Sequence, residues 1–241
     1  MKKIRINKFL ARCNLGSRRQ VEELVEKGKI KINEEMVTDL STKIDPLKDK
    51  VSYNGKILNL IEDKIYLMLN KPKKYLVSRR DDYGRKTVYE LLPDFGVHLF
   101  AIGRLDYNSE GLLLFTSDGD FANRIIHPRY KLPKVYKVNV KGYLKREQIK
   151  ALREGVEIES GKTQPALVYI KYSDENSMVL RMTIFEGKKR QIRYMIKAVG
   201  GEVTGLKRLQ IGSINLGKLP PGMWRILKPS EIVALFRNQR N

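Results

Sequence analysis

Gly103-Arg-Leu-Asp-Tyr-Asn-Ser-Glu-Gly-Leu-Leu-Leu-Phe-Thr-Ser-Asp-Gly119 sets one carboxylate, Asp106, in a glycine-punctuated loop just ahead of an apolar run. Gly103 and Gly111 permit tight turns or close approach to a ligand, and Leu112 to Phe115 reads as a short buried strand ended by an Asp118-Gly119 turn. Loops anchored on such strands commonly carry reacting groups. Taken alone, an acid there is more often a turn or cap residue.

Outward from this loop the pattern alternates between strand and helix periods. Ile65 to Leu69 reads as a strand leading into Asn70-Lys71-Pro72, Val135 to Val140 as another and Met178 to Phe185 as a third. Between them, Asp120 to Ile126 reads as a helix stopped by His127-Pro128 and Lys145 to Arg153 as an amphipathic one. Gln191 to Val199 is longer and turns Ile192, Met195, Ile196 and Val199 inward. The crossovers are irregular and no regular βαβ series appears. Residues 65–241 are therefore expected to form an α+β domain around a mixed, largely antiparallel sheet flanked by helices.

Two further stretches stand out in this part. In Lys134-Val-Tyr-Lys-Val-Asn-Val a period of two puts Tyr136 on the buried face with Val138 and Val140, where a core tyrosine with a satisfied hydroxyl is the plain reading. In Phe185-Glu-Gly-Lys-Lys-Arg-Gln-Ile-Arg-Tyr-Met a glycine opens a helix whose Arg190, Arg193 and Lys197 share a face opposite the apolar stripe. A solvated basic face fits that spacing as well.

Residues 1–60 read as a separate small α+β module, joined through 61–64 by the polar Glu62-Asp63-Lys64. Phe9 and Leu10 lie on a first helix, and Val21, Leu24 and Val25 form a stripe on a second. Ser17 with Gln20 makes a capping-box pattern, and Gly28 is a stop. Ile30, Ile32, Val37, Ile44 and Val51 then recur among turn residues, which predicts short strands. Arg12, Arg18, Arg19, Lys27 and Lys29 cluster around the helix pair, where they suit either a phosphate backbone or a solvated face.

The whole chain of 241 residues carries 48 Lys and Arg against 27 Asp and Glu, a formal net charge of +21. Residues 1–60 hold +6 of it and the remainder +15. An excess spread over both parts favours an extended polyanionic partner over a small acidic metabolite or a basic tail. Cys13 is the one cysteine and His98 and His127 the two histidines, which leaves no disulfide framework and no zinc-ligand set, so no metal is expected. No apolar run approaches membrane-spanning length and no leader pattern opens the chain, so a cytoplasmic protein with no membrane partner is expected.

The full Gly103–Gly119 string, with Arg104-Leu105-Asp106, then Ser109, Gly111 and the leucine run, resembles the active-site motif of the RNA pseudouridine synthases of the RsuA/RluB type. Asn7-Lys8-Phe9-Leu10-Ala11, Ser17-Arg18-Arg19 and Gly28-Lys29-Ile30-Lys31-Ile32-Asn33 resemble the S4 RNA-binding domain. The likeness covers nearly the whole chain and implies the same α+β fold. It implies Asp106 as the catalytic acid and Tyr136, in a Lys-x-Tyr motif, as the ring that packs on the target base. Arg193, the second arginine of an Arg-Gln-x-Arg motif, is implied to pair with Asp106, holding the carboxylate as its anion and fixing its direction. Leu206 would be a wall of the uracil pocket, and Arg190 would help to hold the substrate. Arg104 could fill the space left by an extruded base or contact phosphate. Ser109 stands where threonine is usual, Lys188-Lys189 where Arg-Asn is frequent, Tyr194 where another arginine is common and Gly201 where histidine often occurs. These departures touch RNA contacts around the site more than the reaction.

By that resemblance the reaction detaches uracil from C1′ of its ribose, rotates it and rejoins it through C5, and it calls for no cofactor. The aspartate could serve as nucleophile at C1′ or as base at the sugar. The implied substrate is ribosomal RNA, naked or within a pre-ribosomal particle. Phe121-Ala-Asn-Arg-Ile-Ile-His-Pro and the Leu219-Pro-Pro-Gly-Met-Trp run look closer to the large-subunit branch than to the small-subunit one. Two rivals compete: a non-catalytic rRNA-binding or assembly protein, and an RNA glycosidase with Glu110 as a second acid, which would need two facing carboxylates and a positioned water.

Overall fold

The computed structural model describes residues 3–61 and 63–237, so Glu62 of the expected link lies outside the described residues. The chain divides into two compact units, Met1–Ile65 with Asp94–Phe100, and Tyr66–Pro93 with Ala101–Asn241.

In the first unit β1 (Ile4–Arg5) precedes two helices, α1 (Ile6–Arg12) and α2 (Arg18–Glu26). The Ser17 hydroxyl accepts from the Gln20 amide while the Gln20 side chain accepts from the Ser17 amide at 2.9 Å, the reciprocal cap that the sequence predicts. Gly28 ends α2 at φ +64°, and the Lys29 amide reaches back to the Leu24 carbonyl at 3.0 Å. Strands β2 (Ile30–Ile32), β3 (Glu35–Val37), β4 (Lys43–Ile44), β5 (Val51–Tyr53) and β6 (Lys56–Ile57) follow. Four of them form a sheet in the order β3-β2-β5-β6, and β4 pairs with β1. Ile6, Phe9, Leu10, Val21, Val25, Ile30, Ile44 and Val51 are its core. Asn14, at φ +61°, donates to the Gly96 carbonyl at 2.9 Å and accepts from the His98 amide at 2.5 Å, which fastens the 94–100 segment within the unit.

The second unit runs β7 (Tyr66–Lys71), β8 (Phe100–Ile102), β9 (Glu110–Thr116), α3 (Gly119–Ile126), β10 (Lys134–Lys141), α4 (Arg146–Glu154), β11 (Leu167–Ser173) and β12 (Ser177–Ile184). Then come α5 (Gln191–Ala198), β13 (Glu202–Ile211), β14 (Ile214–Asn215), β15 (Trp224–Ile226) and α6 (Pro229–Ala234). Its sheet has the order β11-β12-β10-β13-β9-β7-β15. Neighbours along it are antiparallel except β13 and β9, which makes the sheet mixed and largely antiparallel as expected. Leu112 to Phe115 are wholly buried because β9 lies inside the sheet with both faces covered, which is why they read as an unbroken apolar run.

Two local expectations are corrected. Asp118 and Gly119 begin a helix where a turn was expected: Asp118 Oδ1 caps α3 by accepting from the Asp120 amide at 2.9 Å. Helix α5 begins at Gln191, so Gly187 does not open it, and Arg190 precedes it in the left-handed region at φ +50°. Arg190 therefore lies outside the helix that carries Arg193 and Lys197. No described helix is long and apolar enough to cross a membrane.

Candidate active site

The loop from Gly103 to Ser109 is shaped around a buried cation that the sequence reading did not single out. Lys71, the last residue of β7, is fully buried. Its ammonium donates to the carbonyls of Pro72 at 3.0 Å, Asp106 at 3.1 Å, Tyr107 at 3.4 Å and Ser109 at 2.8 Å. The Ser109 amide also donates to the Asp106 carbonyl at 3.0 Å, closing the turn. A loop folded inward on its own carbonyls needs a polyvalent donor at its centre, and the three N–H groups of the lysine reach the four carbonyls with one N–H shared between two of them. Burial draws the Lys71 ammonium down to about 8, with Asp106 and Glu110 pulling the other way and Arg208 adding to the depression.

With its backbone held, Asp106 turns its carboxylate toward two guanidinium groups. Oδ2 lies 3.8 Å from Arg193 Nε and 3.9 Å from Arg190 Nη1. Both are ion-pair separations and exceed hydrogen-bond length, so charge orients the carboxylate without fastening its oxygens. One third of the Asp106 side chain stays accessible, at 33 %. Arg193 is more enclosed, at 15 %; its Nη1 donates to the Val203 carbonyl at 3.2 Å while its Nε has no hydrogen-bond partner. Burial first, then Arg190, pull the Arg193 guanidinium below its ordinary range, and Asp106 opposes them.

A cavity of about 360 Å³ opens beside this carboxylate. Asp106, Arg104, Tyr136, Arg190 and Leu206 all line it, so the structure brings together these sequence-predicted residues. Arg193 meets Asp106 outside the cavity lining. Tyr136 is 7 % exposed, on the buried face of β10 with Val138 and Val140 as its period predicts. Glu110 sits in β9 opposite Lys207 of β13 and lies outside the cavity wall. Gly111 explains how that parallel contact forms: at φ +104°, a β-carbon there would stand 2.3 Å from the Arg208 carbonyl oxygen. Arg12, Arg18, Arg19, Lys27 and Lys29 belong to the other unit, where all but the half-buried Arg12 are exposed. Arg18 and Arg19 begin α2, whereas Lys27 and Lys29 lie past its far end.

A half-open cavity with an oriented carboxylate, an aromatic ring and an aliphatic wall suits a planar base better than a flexible chain. The chain matches the family model described as RNA pseudouridylate synthase over residues 65–198 and the S4 domain over 4–51. It is 43 % identical to an Uncharacterized RNA pseudouridine synthase of Aquifex aeolicus (strain VF5), over 98 % of this chain and 95 % of the relative. It is 38 % identical to the Ribosomal large subunit pseudouridine synthase B of Bacillus subtilis (strain 168), over 96 % and 95 %. A crystal structure of a pseudouridylate synthase superposes with a TM-score of 0.69 at 31 % identity, covering 96 % of this chain and 99 % of that one.

Proposed function

The chain belongs to the RNA pseudouridylate synthase family and carries an S4 domain, and on that premise we propose that it isomerises a uridine of large-subunit ribosomal RNA, with Asp106 as the reacting carboxylate. The observation that carries the reading is the convergence of Asp106, Tyr136 and Leu206 on one cavity, with Arg193 and Arg190 both within 4 Å of the carboxylate. The large-subunit assignment is supported by the name of the B. subtilis relative.

The target base is stacked in its helix and must be extruded, at a cost of about a few kcal/mol. Tyr136 offers a ring to the base, and stacking of this kind contributes about 1–3 kcal/mol. Asp106 then acts at the ribose, as nucleophile at C1′ or as base at the sugar. In either role the paired arginines aim it, and its unfastened oxygens leave it free to approach. Arg104, at the open wall, contacts phosphate or occupies the vacated stack. The bond from C1′ to N1 is exchanged for one from C1′ to C5, and the C5 hydrogen leaves as a proton.

Residues 1–60 serve as the RNA grip, with Arg12, Arg18, Arg19, Lys27 and Lys29 meeting phosphates, and residues 65–241 as the catalyst. The substrate is naked rRNA or a pre-ribosomal particle, met in the cytoplasm. Tritium release from C5-labelled large- and small-subunit rRNA transcripts, by the wild type and Asp106→Asn, tests the reading. Release from the large-subunit RNA by the wild type alone, with binding retained in the variant, is expected. Release from small-subunit RNA would reassign the substrate. Equal behaviour of the two proteins would favour a binder, and free uracil in place of an isomerised base would favour a glycosidase.

A further inference from the structure

We propose that Lys134 and Arg208 form a cationic floor to the cavity that receives the negative charge of uracil as it leaves C1′. The inference rests on the pseudouridine synthase reading and assigns a role that neither Asp106 nor its arginines fill.

Both residues line the cavity, and both stand beside Tyr136 on the sheet. Lys134 lies two residues before Tyr136 in β10, hence on the same face, and Arg208 of β13 is the cross-strand partner of Tyr136. Directly opposed side chains start about 4.5–5.5 Å apart. A base stacked on Tyr136 would therefore have one cation across the strand and another along it.

Neither cation is satisfied within the protein. Arg208 is 4 % exposed; its Nε donates to the Leu112 carbonyl at 2.7 Å, and its buried Nη2 has no hydrogen-bond partner. Lys134 makes one hydrogen bond, to the Leu132 carbonyl at 3.1 Å, although an ammonium has three to give. Neither has a carboxylate partner among the described residues. Enclosing an unpaired charge is costly, and two placed side by side cost more. Burial, then Arg208, lower the Lys134 ammonium to about 8, which still leaves it protonated at neutral pH. Such a pair is retained where an anion arrives to meet it.

The proposed chemistry supplies that anion and balances without a co-reactant. When the bond from C1′ to N1 breaks, its electron pair stays with the base and spreads over N1, O2 and O4. The base then rotates, C5 donates a pair to C1′, the C5 hydrogen departs as a proton and N1 takes one up. Charge exists on the base only between bond breaking and bond making, so fixed cations there favour the transition state over the bound uridine.

The test is the single-turnover rate at which N1-linked uridine or 5-fluorouridine is lost from the same site in a large-subunit rRNA transcript, followed by chromatography of nuclease digests. The fluorinated base has no C5 proton to give up, so loss of the N1-linked nucleoside is scored for both. Fluorine withdraws electrons and makes the base a better leaving group, so it reduces the need for the cations. Lys134→Met keeps the length of the side chain and removes its charge. It is expected to bind the transcript within about twofold of the wild type and to convert uridine about 10²–10³-fold more slowly, as for other lost transition-state donors. With 5-fluorouridine the deficit should shrink at least tenfold, and Lys134→Arg should recover part of the rate. Arg208→Lys, which retains charge where Arg208→Met does not, separates charge from the structural bond to Leu112. Wild-type turnover is scored first, and its absence would sink the functional reading and this inference together. Wild-type turnover with an undiminished Lys134→Met rate, or with equal deficits on the two bases, would overturn the inference alone.

Discussion

The ammonium of Lys71 holds the main-chain carbonyl of Asp106 at 3.1 Å, so the residue that presents the carboxylate is anchored by a side chain from a neighbouring strand. Removing it would take that donor from four carbonyls, of which those of Asp106 and Tyr107 keep the Ser109 and Lys74 amides, and each buried polar group left unsatisfied costs about 1–3 kcal/mol. Lys71→Met should lose about 3 kcal/mol or more in urea unfolding and slow tritium release by at least the ~10²-fold that misplacing a reacting group entails. A variant with wild-type turnover would show that the loop holds its shape unaided.

Alkaline pH should separate activity from stability. Lys71 and Lys134 are both brought down to about 8 from an ordinary 10.5. Below pH 8 folded and unfolded chains both hold these protons. Between about 8 and 10.5 the unfolded chain holds more of them, so these two groups add stability as pH rises. Neutral Lys71 has fewer N–H groups for its carbonyls, and neutral Lys134 no longer faces an anion with charge. Turnover should therefore fall with a midpoint near pH 8, while the melting temperature of the wild type relative to Lys71→Met and Lys134→Met rises over the same interval. A rate that stays level to pH 9.5 would contradict this.

Gly111 and Gly103 should respond differently to alanine. Both have positive φ, +104° and +73°, but only at Gly111 would the new carbon meet backbone, the Arg208 oxygen at 2.3 Å. Gly103→Ala should cost about 1–2 kcal/mol from the dihedral alone. Gly111→Ala must also part β9 from β13, and thermal melts should place it well below Gly103→Ala, with turnover abolished. Equal melts would refute the close approach.

RNA affinity should fall steeply with salt, because phosphate neutralisation releases counterions. Arg18 and Arg19 are exposed at the start of α2, and replacing both with serine should flatten the log–log salt slope by roughly 1–2. The rate on saturating RNA should be unaffected. A slope unchanged from the wild type would remove these two residues from the RNA footprint.

Much of this was readable before any coordinates. The Ser17–Gln20 cap, the buried run from Leu112 to Phe115 and the inward face of Tyr136, Val138 and Val140 all follow from local rules of hydrogen bonding and periodicity. Lys71 was not readable, because a lysine at a strand end ordinarily points to water, and only the curled loop beyond it makes an interior ammonium worthwhile. Arg208 was hidden in a basic string, Leu206-Lys-Arg-Leu, where nothing local marks which cation goes inside. The start of α5 is not marked in the sequence, because Arg190 adopts a left-handed conformation that its residue type does not advertise. Pairing of β9 with β13 joins segments far apart in the chain and leaves its trace only in Gly111.

That pairing also sets a timetable. β9 follows directly on the Asp106 loop, yet its neighbour β13 is made much later, and β15, which closes the sheet against β7, later still. A chain growing from its N-terminus completes the first unit's helices and sheet long before the catalytic sheet can assemble. On the proposed function, the S4 domain of the nascent protein is folded before the Asp106 loop has the sheet that supports it, and competence for the reaction arrives only as the last strands are laid down.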